Sequence, residues 1–255
     1  MRRQLETTLE NLRTDHLDIY FLHNSSFGDN DQYLGGAIEQ MRAFQQQGLI
    51  KAVGMRGPHR FATDRLAVPR QQREDKYARF RGLFTRVRPD YLAVRFNALT
   101  PPPPPGHGDI FAFAAEHGAS VLINKPLAQG LLTGKYDPAQ PPRFGPGDHR
   151  LRKAWFTPQA LCVIDDGLAP IRDRFGATPA QLAPVMLAYC LHRSSNAAVL
   201  AGFTTPEQVM QNLTPPAQPL TEDDLAFVGD TAGAIQRRLD EAGEVFLDEL
   251  SAAQP

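Results

Sequence analysis

A histidine at the end of an apolar segment is the first residue whose type and position could do chemistry. His23 directly follows Leu17–Leu22, which reads LDIYFL. An imidazole can donate a hydrogen bond or transfer a proton near neutral pH. In parallel α/β proteins the groups that act on substrates lie at the carboxyl ends of strands. His23 is therefore a candidate acid–base residue, and the alternative interpretation is an ordinary strand-end histidine that bonds a loop.

Other kinds of catalytic chemistry find little support in the sequence. The remaining six histidines show no metal-ligand spacing, so we predict no metal site. The chain has neither a GxSxG motif nor a cysteine and a histidine at the local spacing of a nucleophilic site. Nucleophilic catalysis is therefore not expected.

Composition limits the classes of protein that this chain could represent. The formal net charge of -1 argues against a general binder of nucleic acid or of membrane surfaces. No apolar run approaches the roughly 18 residues that a membrane span needs, and the N-terminus lacks the apolar region of a secretory signal. The two cysteines, Cys162 and Cys190, form no CxxC pair and suggest a reduced, cytoplasmic protein.

The elements that must position His23 alternate between helix and strand along the chain. Apolar segments predict five strands, at Leu17–Leu22, Leu49–Met55, Tyr91–Phe96, Val121–Asn124 and Ala198–Ala201. Amphipathic or capped segments predict helices at about 2–12, 33–47, 109–116, 159–174, 179–192 and 222–250. This alternation is typical of parallel βαβ units. An open doubly wound sheet and a closed barrel both fit, although a closed barrel has more strands than these five.

Four segments, taken in order, resemble the aldo-keto reductases. They are Leu12–His23 (LRTDHLDIYFLH), Gly48–Gly54 (GLIKAVG), Lys125–Tyr136 (KPLAQGLLTGKY) and Gly202–Asn212 (GFTTPEQVMQN). The resemblance implies a parallel (β/α) barrel of the TIM type, of which the five strands would be the fourth to the eighth. We therefore expect an N-terminally truncated barrel, the C-terminal two-thirds of the family's domain. Residues 1–255 would form one partial domain that closes with the helix at about 222–250.

The resemblance also implies a catalytic role for His23. The family reduces carbonyl compounds with an Asp, Tyr, Lys and His tetrad, and the histidine closes the first of the four segments. The other three members come from the part of the barrel that we expect to be missing. One histidine cannot supply both the proton donor and the group that tunes its pKa, so we expect impaired redox chemistry.

The implied cofactor is NADP, and the resemblance assigns residues to it unevenly. The cofactor-binding candidates are Leu127, Gly130, Gly202, Thr204, Gln208 and Asn212. Hydroxyl and amide side chains at a helix start can bond ribose, phosphate and adenine, and the helix terminus favours anions; an ordinary helix cap is the alternative. The positions that face the nicotinamide in the family depart from its pattern, with Arg56-Gly57, Ala93, Asn124 and Lys125.

Three functions therefore stay open. The first is an NADP-linked carbonyl oxidoreductase that acts on a small molecule. The second is a non-catalytic, cofactor-sensing or regulatory binding module, which the changed nicotinamide positions favour. The third is a non-redox biosynthetic enzyme that would use His23, Arg56, Arg95 and Lys125. Unpaired strand edges at Leu17–Leu22 and Ala198–Ala201 predict a homo-oligomer or a poorly stable chain.

Overall fold

Five strands and the helices between them build an α/β fold. The computed structural model describes residues 1–58, 76–103, 108–152 and 154–242. The strands are β1 Leu17–Leu22, β2 Ile50–Arg56, β3 Tyr91–Arg95, β4 Ser120–Asn124 and β5 Ala197–Leu200. They form a five-stranded sheet whose order is that of the chain. β1 pairs with β2 and β2 with β3 in parallel, with Leu17 opposite Ile50. The predicted parallel sheet is thus confirmed.

Helices connect and flank the strands. They are α1 Arg2–Leu12, α2 Leu34–Gln46, α3 Lys76–Val87, α4 Ile110–Glu116, α5 Pro158–Gly167, α6 Ala169–Phe175, α7 Pro179–Leu191, α8 Pro206–Leu213 and α9 Glu222–Glu241. Short 3-10 turns lie at Asp29–Asp31, Ala128–Thr133, His149–Arg152 and Ala154–Phe156. The predicted end of the last helix, from residue 243 onward, lies outside the described residues.

The single helix predicted at 159–174 is wrong, because the chain forms two helices there. Leu168 ends α5 and also begins α6, which carries a proline in its first turn. Pro170 has no backbone N–H to continue the hydrogen-bond ladder of α5, and its ring clashes with a continuing helix. The break therefore follows from the proline.

Packing divides the described residues into two compact units, and one partial domain over residues 1–255 stays a prediction. The described part of the first unit comprises residues 1–58, 76–94 and 108–122. Its buried side chains include Leu34 and Phe44 of α2. The Phe113 ring meets those of Phe80 and Phe84 edge to face, with centroids 5.5 Å and 4.9 Å away. These contacts hold α3 and α4 together in the first unit.

The described part of the second unit comprises residues 95–103, 123–152 and 154–242. Its core combines the 3-10 turn after β4 with helices from both sides of β5 in sequence. Leu131 and Leu132 of that turn are buried in the same cluster as Leu182 of α7 and Ile235 of α9. The loop after β4 is therefore anchored by its own apolar residues.

The two cysteines have different surroundings, and neither forms a disulfide. Cys162 on α5 is exposed, whereas Cys190 on α7 is fully buried. The Sγ atom of Cys190 lies 3.9 Å from the carbonyl oxygens of Phe96 and Pro126. Burial raises the pKa of this thiol to about 12. Cys190 is therefore a neutral core side chain at physiological pH.

Candidate cofactor-binding site

A cavity of about 580 Å³ lies within the second unit and brings together the six residues that were candidates for cofactor binding. Leu127 and Gly130 come from the loop after β4, while Gly202, Thr204, Gln208 and Asn212 come from the end of β5 and from α8. Gly147, Asp148 and Arg150 complete one wall, and Pro179 and Ala183 of α7 another. Residues far apart in the sequence thus share one concave surface.

The loop after β4 is folded so that backbone groups lie at the cavity. Gln129 and Gly130 have φ values of 61° and 95°, which turn the chain tightly inside the 3-10 segment. The Gly130 N–H donates to the Leu127 carbonyl at 2.8 Å, and the Thr133 hydroxyl donates to the Gly130 carbonyl at 2.8 Å. A Cβ atom on Gly130 would lie 2.4 Å from Cε of Lys135. The Lys135 side chain therefore lies directly across Gly130.

The opposite wall is built around the start of α8. The Thr205 hydroxyl accepts from the Gln208 backbone N–H at 3.3 Å and caps the helix. Oε1 of Gln208 accepts from the backbone N–H and the hydroxyl of Thr204, at 2.7 Å and 3.2 Å. Nδ2 of Asn212 donates to the Gly202 carbonyl at 3.3 Å. These bonds hold two amide side chains beside the cavity.

Gly202 is open to the cavity that it lines. A Cβ atom built on it would meet no heavy atom within 4 Å. The absence of a side chain here therefore leaves room that a ligand could occupy, and no neighbouring group requires the glycine.

Cationic side chains outnumber anionic ones around the cavity. Among the described lining residues the cations are Lys125, Lys135 and Arg150, and the anion is Asp148. Arg150 pairs with Asp148 at 2.6 Å, and this contact raises the pKa of the guanidinium. Arg150 also lies 4.1 Å from the centroid of the Phe144 ring. The charge balance favours an anionic ligand.

Sequence reasoning assigned no role to Lys135, Asp148 or Arg150 at this cavity. Lys135 stands in the quoted segment Lys125–Tyr136 beside a glycine, which was a usable signal. Asp148 and Arg150 lie in a loop without regular periodicity, and only the fold of that loop brings them to the cavity. No local pattern could have identified that pair.

His23 is placed where the sequence predicted it, as an exposed residue directly after β1. It belongs to the first unit, whereas the cavity belongs to the second. Arg56, at the end of β2, is also exposed and in the first unit. The Arg95 guanidinium lies 5.1 Å from the centroid of the Trp155 ring in the second unit. The catalytic assignment of His23 stays a prediction.

Two of the changed nicotinamide positions are closed by backbone packing. The Gly57 N–H donates to the Ala93 carbonyl at 2.9 Å. A Cβ atom on Gly57 would lie 3.0 Å from Cγ2 of Val94 and 3.2 Å from the Ala93 carbonyl oxygen. A larger side chain at residue 57 would therefore have to displace these neighbours.

Two features are absent from the described residues. No group of three or more His, Cys, Asp or Glu side chains in them could hold a metal ion. None of their helices is both long enough and apolar enough to cross a membrane.

Comparisons with known proteins point to one family. The family model described as "Aldo/keto reductase family" matches residues 1–230. The NADH-specific methylglyoxal reductase of Escherichia coli (strain K12) is 24% identical over 240 residues, covering 93% of this chain and 65% of that protein. L-galactose dehydrogenase of Arabidopsis thaliana is 22% identical, covering 84% and 56%. The chain thus spans less than two thirds of the length of these relatives.

Solved structures share the fold. The glycerol dehydrogenase AKR11B4 from Gluconobacter oxydans superposes with a TM-score of 0.64 at 20% identity, covering 92% of this chain and 64% of that one. The holo form of the aldo-keto reductase AKR11C1 from Bacillus halodurans gives 0.59 at 23% identity, covering 91% and 66%. The expectation that the chain is only the C-terminal two-thirds of the family's domain is not confirmed by the family match, which includes residue 1.

Proposed function

Because this chain belongs to the aldo/keto reductase family, we propose that the cavity of the second unit binds a nicotinamide dinucleotide for the reduction of a small-molecule carbonyl compound. The observation that carries the proposal is the convergence of Leu127, Gly130, Gly202, Thr204, Gln208 and Asn212 on one cavity. The family resemblance assigns these residues to the cofactor from the sequence alone. Their convergence is what a binding site requires.

The residues that are present fit a dinucleotide. A volume of about 580 Å³ falls within the roughly 300–1,000 Å³ that small-molecule and cofactor sites occupy. Lys125 and Lys135 stand on the loop that would meet the pyrophosphate. Thr204 and Gln208 at the start of α8, with Asn212 in its last turn, offer hydroxyl and amide groups where ribose and adenine would bind.

When bound, the reduced dinucleotide supplies a hydride for the carbonyl carbon of the substrate. The carbonyl oxygen then needs a hydrogen-bond donor that holds it in place and a proton, which solvent water can supply. We assign the donor role to His23, which is exposed at the carboxyl end of β1, where such sites form in parallel α/β folds. The products are the alcohol and the oxidised cofactor.

A second candidate function is a binding module that holds the dinucleotide without redox chemistry. The observation that favours it is the closed packing of Gly57 against Ala93 and Val94, where the family places side chains that hold the nicotinamide. Binding at the adenosine end would be kept, and hydride transfer would be slow or absent.

A paired measurement tests both functions. Thermal melts of the purified 255-residue chain are recorded with NADH and with NADPH, where ligand at about 100 times its Kd adds about 2.7 kcal/mol of stability. Oxidation of the reduced cofactor is then followed with methylglyoxal as the carbonyl compound. We expect binding, turnover, and a loss of at least about 100-fold in kcat for His23→Ala.

The control is His16→Ala, since His16 is a histidine of the same unit that bonds Asp15 at 2.7 Å. It should leave kcat unchanged. Binding without turnover would support the second candidate function. A cooperative melt that neither nucleotide shifts would overturn both.

A further inference from the structure

The charges around the cavity are confined to one side. The cations that line it, Lys125, Lys135 and Arg150, all belong to residues 125–150. The other wall lies in a stretch without any cation, because residues 194–221 contain no Lys, Arg or His. Glu207 is the one charged residue in that stretch. The described lining is therefore cationic at the loop after β4 and carries no charged side chain at α8.

Glu207 makes the chain beside that wall anionic, although its side chain is not one of those that line the cavity. It is exposed in the first turn of α8, beside Gln208, which lines the cavity. Hydrogen bonding to its own backbone N–H, and then to the Thr205 side chain, holds the pKa of Glu207 below its usual range. The carboxylate is therefore charged at neutral pH.

The two common nicotinamide dinucleotides differ at the adenosine ribose. The 2′-phosphate of NADPH adds about -1.5 to -2 charge near neutral pH, and sites that accept it normally provide a cation there. In NADH the same position is a hydroxyl, which can donate to a carboxylate or an amide oxygen. At the start of α8 the described residues offer Thr204, Glu207 and Gln208, and none of them is cationic.

The cations that line the cavity are already engaged on the side of the loop after β4. Lys135 lies across Gly130, in the loop that would bind the phosphates. Arg150 is already paired with Asp148. A 2′-phosphate near α8 would therefore meet no cation of that wall, and the one charged residue of residues 194–221 is the anionic Glu207.

We propose that the cavity selects a dinucleotide without a 2′-phosphate, NADH over NADPH, and that Glu207 is a specificity-determining residue. This inference rests on the proposed function of the same site. It names NADH as the cofactor in place of the NADP that the family resemblance implied. The chemistry that it names is a vicinal ribose diol at the adenosine end.

Calorimetric titration of the 255-residue chain with NADH and with NADPH in the same buffer tests the inference. We expect NADH to bind at least about tenfold more tightly, a difference of about 1.4 kcal/mol. Glu207→Arg should reduce this ratio by about tenfold or more, mainly by tightening NADPH. Glu207→Gln should give a smaller reduction in the same direction, because it removes the carboxylate without adding a cation.

The matched control is Glu222→Arg, which reverses an exposed acidic residue in the first turn of α9. It should leave the ratio of the two Kd values unchanged, and melting curves check that each variant is folded. Equal or tighter binding of NADPH by the unmodified chain would overturn the inference and leave the proposed function standing. A ratio that neither Glu207 variant alters would also overturn it. If neither nucleotide binds, the proposed function fails and the inference fails with it.

Discussion

Gly130 and Gly202 line the cavity for different physical reasons. Gly130 has a φ of 95°, a backbone conformation that L side chains rarely adopt. The Lys135 side chain occupies the space that a Cβ atom on Gly130 would need. Gly202 has no such constraint, and a Cβ atom there would meet nothing within 4 Å. The first glycine serves the conformation of the loop, whereas the second leaves space for a ligand.

Substitution separates these two roles. We expect Gly202→Val to change the free energy of unfolding by no more than about 0.5 kcal/mol and to weaken dinucleotide binding by about tenfold or more, because the side chain fills the cavity. We expect Gly130→Ala to cost at least about 1 kcal/mol of stability. Denaturant melts and calorimetric Kd values measure both effects. A destabilised Gly202→Val that binds normally would contradict this assignment.

The sequence was sufficient to select six residues of the cavity, because short motifs carry them: Leu127, Gly130, Gly202, Thr204, Gln208 and Asn212. It was not sufficient for Arg150 and Asp148, which reach the cavity only through the fold of an irregular loop. The side chains of a motif can be identified from their spacing. Residues that a loop brings to the site have no comparable spacing, since tertiary packing fixes their positions.

At the scale of elements, the start of α9 depends on a charged cap. The Asp224 carboxylate accepts from the Thr221 backbone N–H at 2.9 Å and from its hydroxyl at 2.7 Å. Arg174 of α6 lies 2.6 Å from the same carboxylate. The bonds to Thr221, and then the charge of Arg174, hold the pKa of Asp224 below its usual range.

A pH dependence follows from the direction of this shift. The folded-state pKa of Asp224 is lower than the unfolded one, so its stabilising contribution is full above the unfolded pKa of about 3.9 and disappears as the pH falls through the folded value. We expect Asp224→Asn to lower the melting temperature at pH 7 and to flatten its decline in acid. Asp173→Asn, at an exposed position of α6, is the control. Parallel melting profiles for Asp224→Asn and the unmodified chain would rule out this contribution.

Most strand positions could be predicted because alternation and apolar runs locate strands well. β1 matches its predicted bounds, and β3 differs from its prediction by one residue. The 3-10 turn Ala128–Thr133 was not predicted, since positive φ at Ala128 and Gln129 has no clear sequence marker. The break between α5 and α6 did have a marker in Pro170. Apolar residues keep their helical spacing on both sides of this proline, however, and the segment therefore resembled one continuous helix.

At the scale of the whole molecule, the order of the sheet makes β1 and β5 its end strands among the described residues. Near β5 several large apolar side chains are exposed, namely Leu200, Phe203, Met210 and Leu213. Leu213 is the most exposed of these, at 74%. An end strand with an apolar neighbourhood favours association with another chain.

We therefore expect the purified chain to self-associate. Gel filtration with light scattering should give a mass above that of the 28.2 kDa monomer, increasing with concentration. Leu213→Lys should shift the mass toward the monomer, because the charge opposes burial of that surface. Leu12→Lys, at an exposed position of α1, is the control. A well-folded monomer at every concentration would contradict the expected association.

Because Cys190 is buried, the rate at which a reagent modifies its thiol reports local opening of the second unit's core. A thiol reagent can modify exposed Cys162 at once, whereas Cys190 reacts only in molecules whose α7 has transiently separated from Phe96 and Pro126. Under fast reclosing, its labelling rate therefore reports the free energy of that opening. Pro126 lines the cavity, so a bound dinucleotide should slow the labelling of Cys190 even where its binding causes no spectroscopic change.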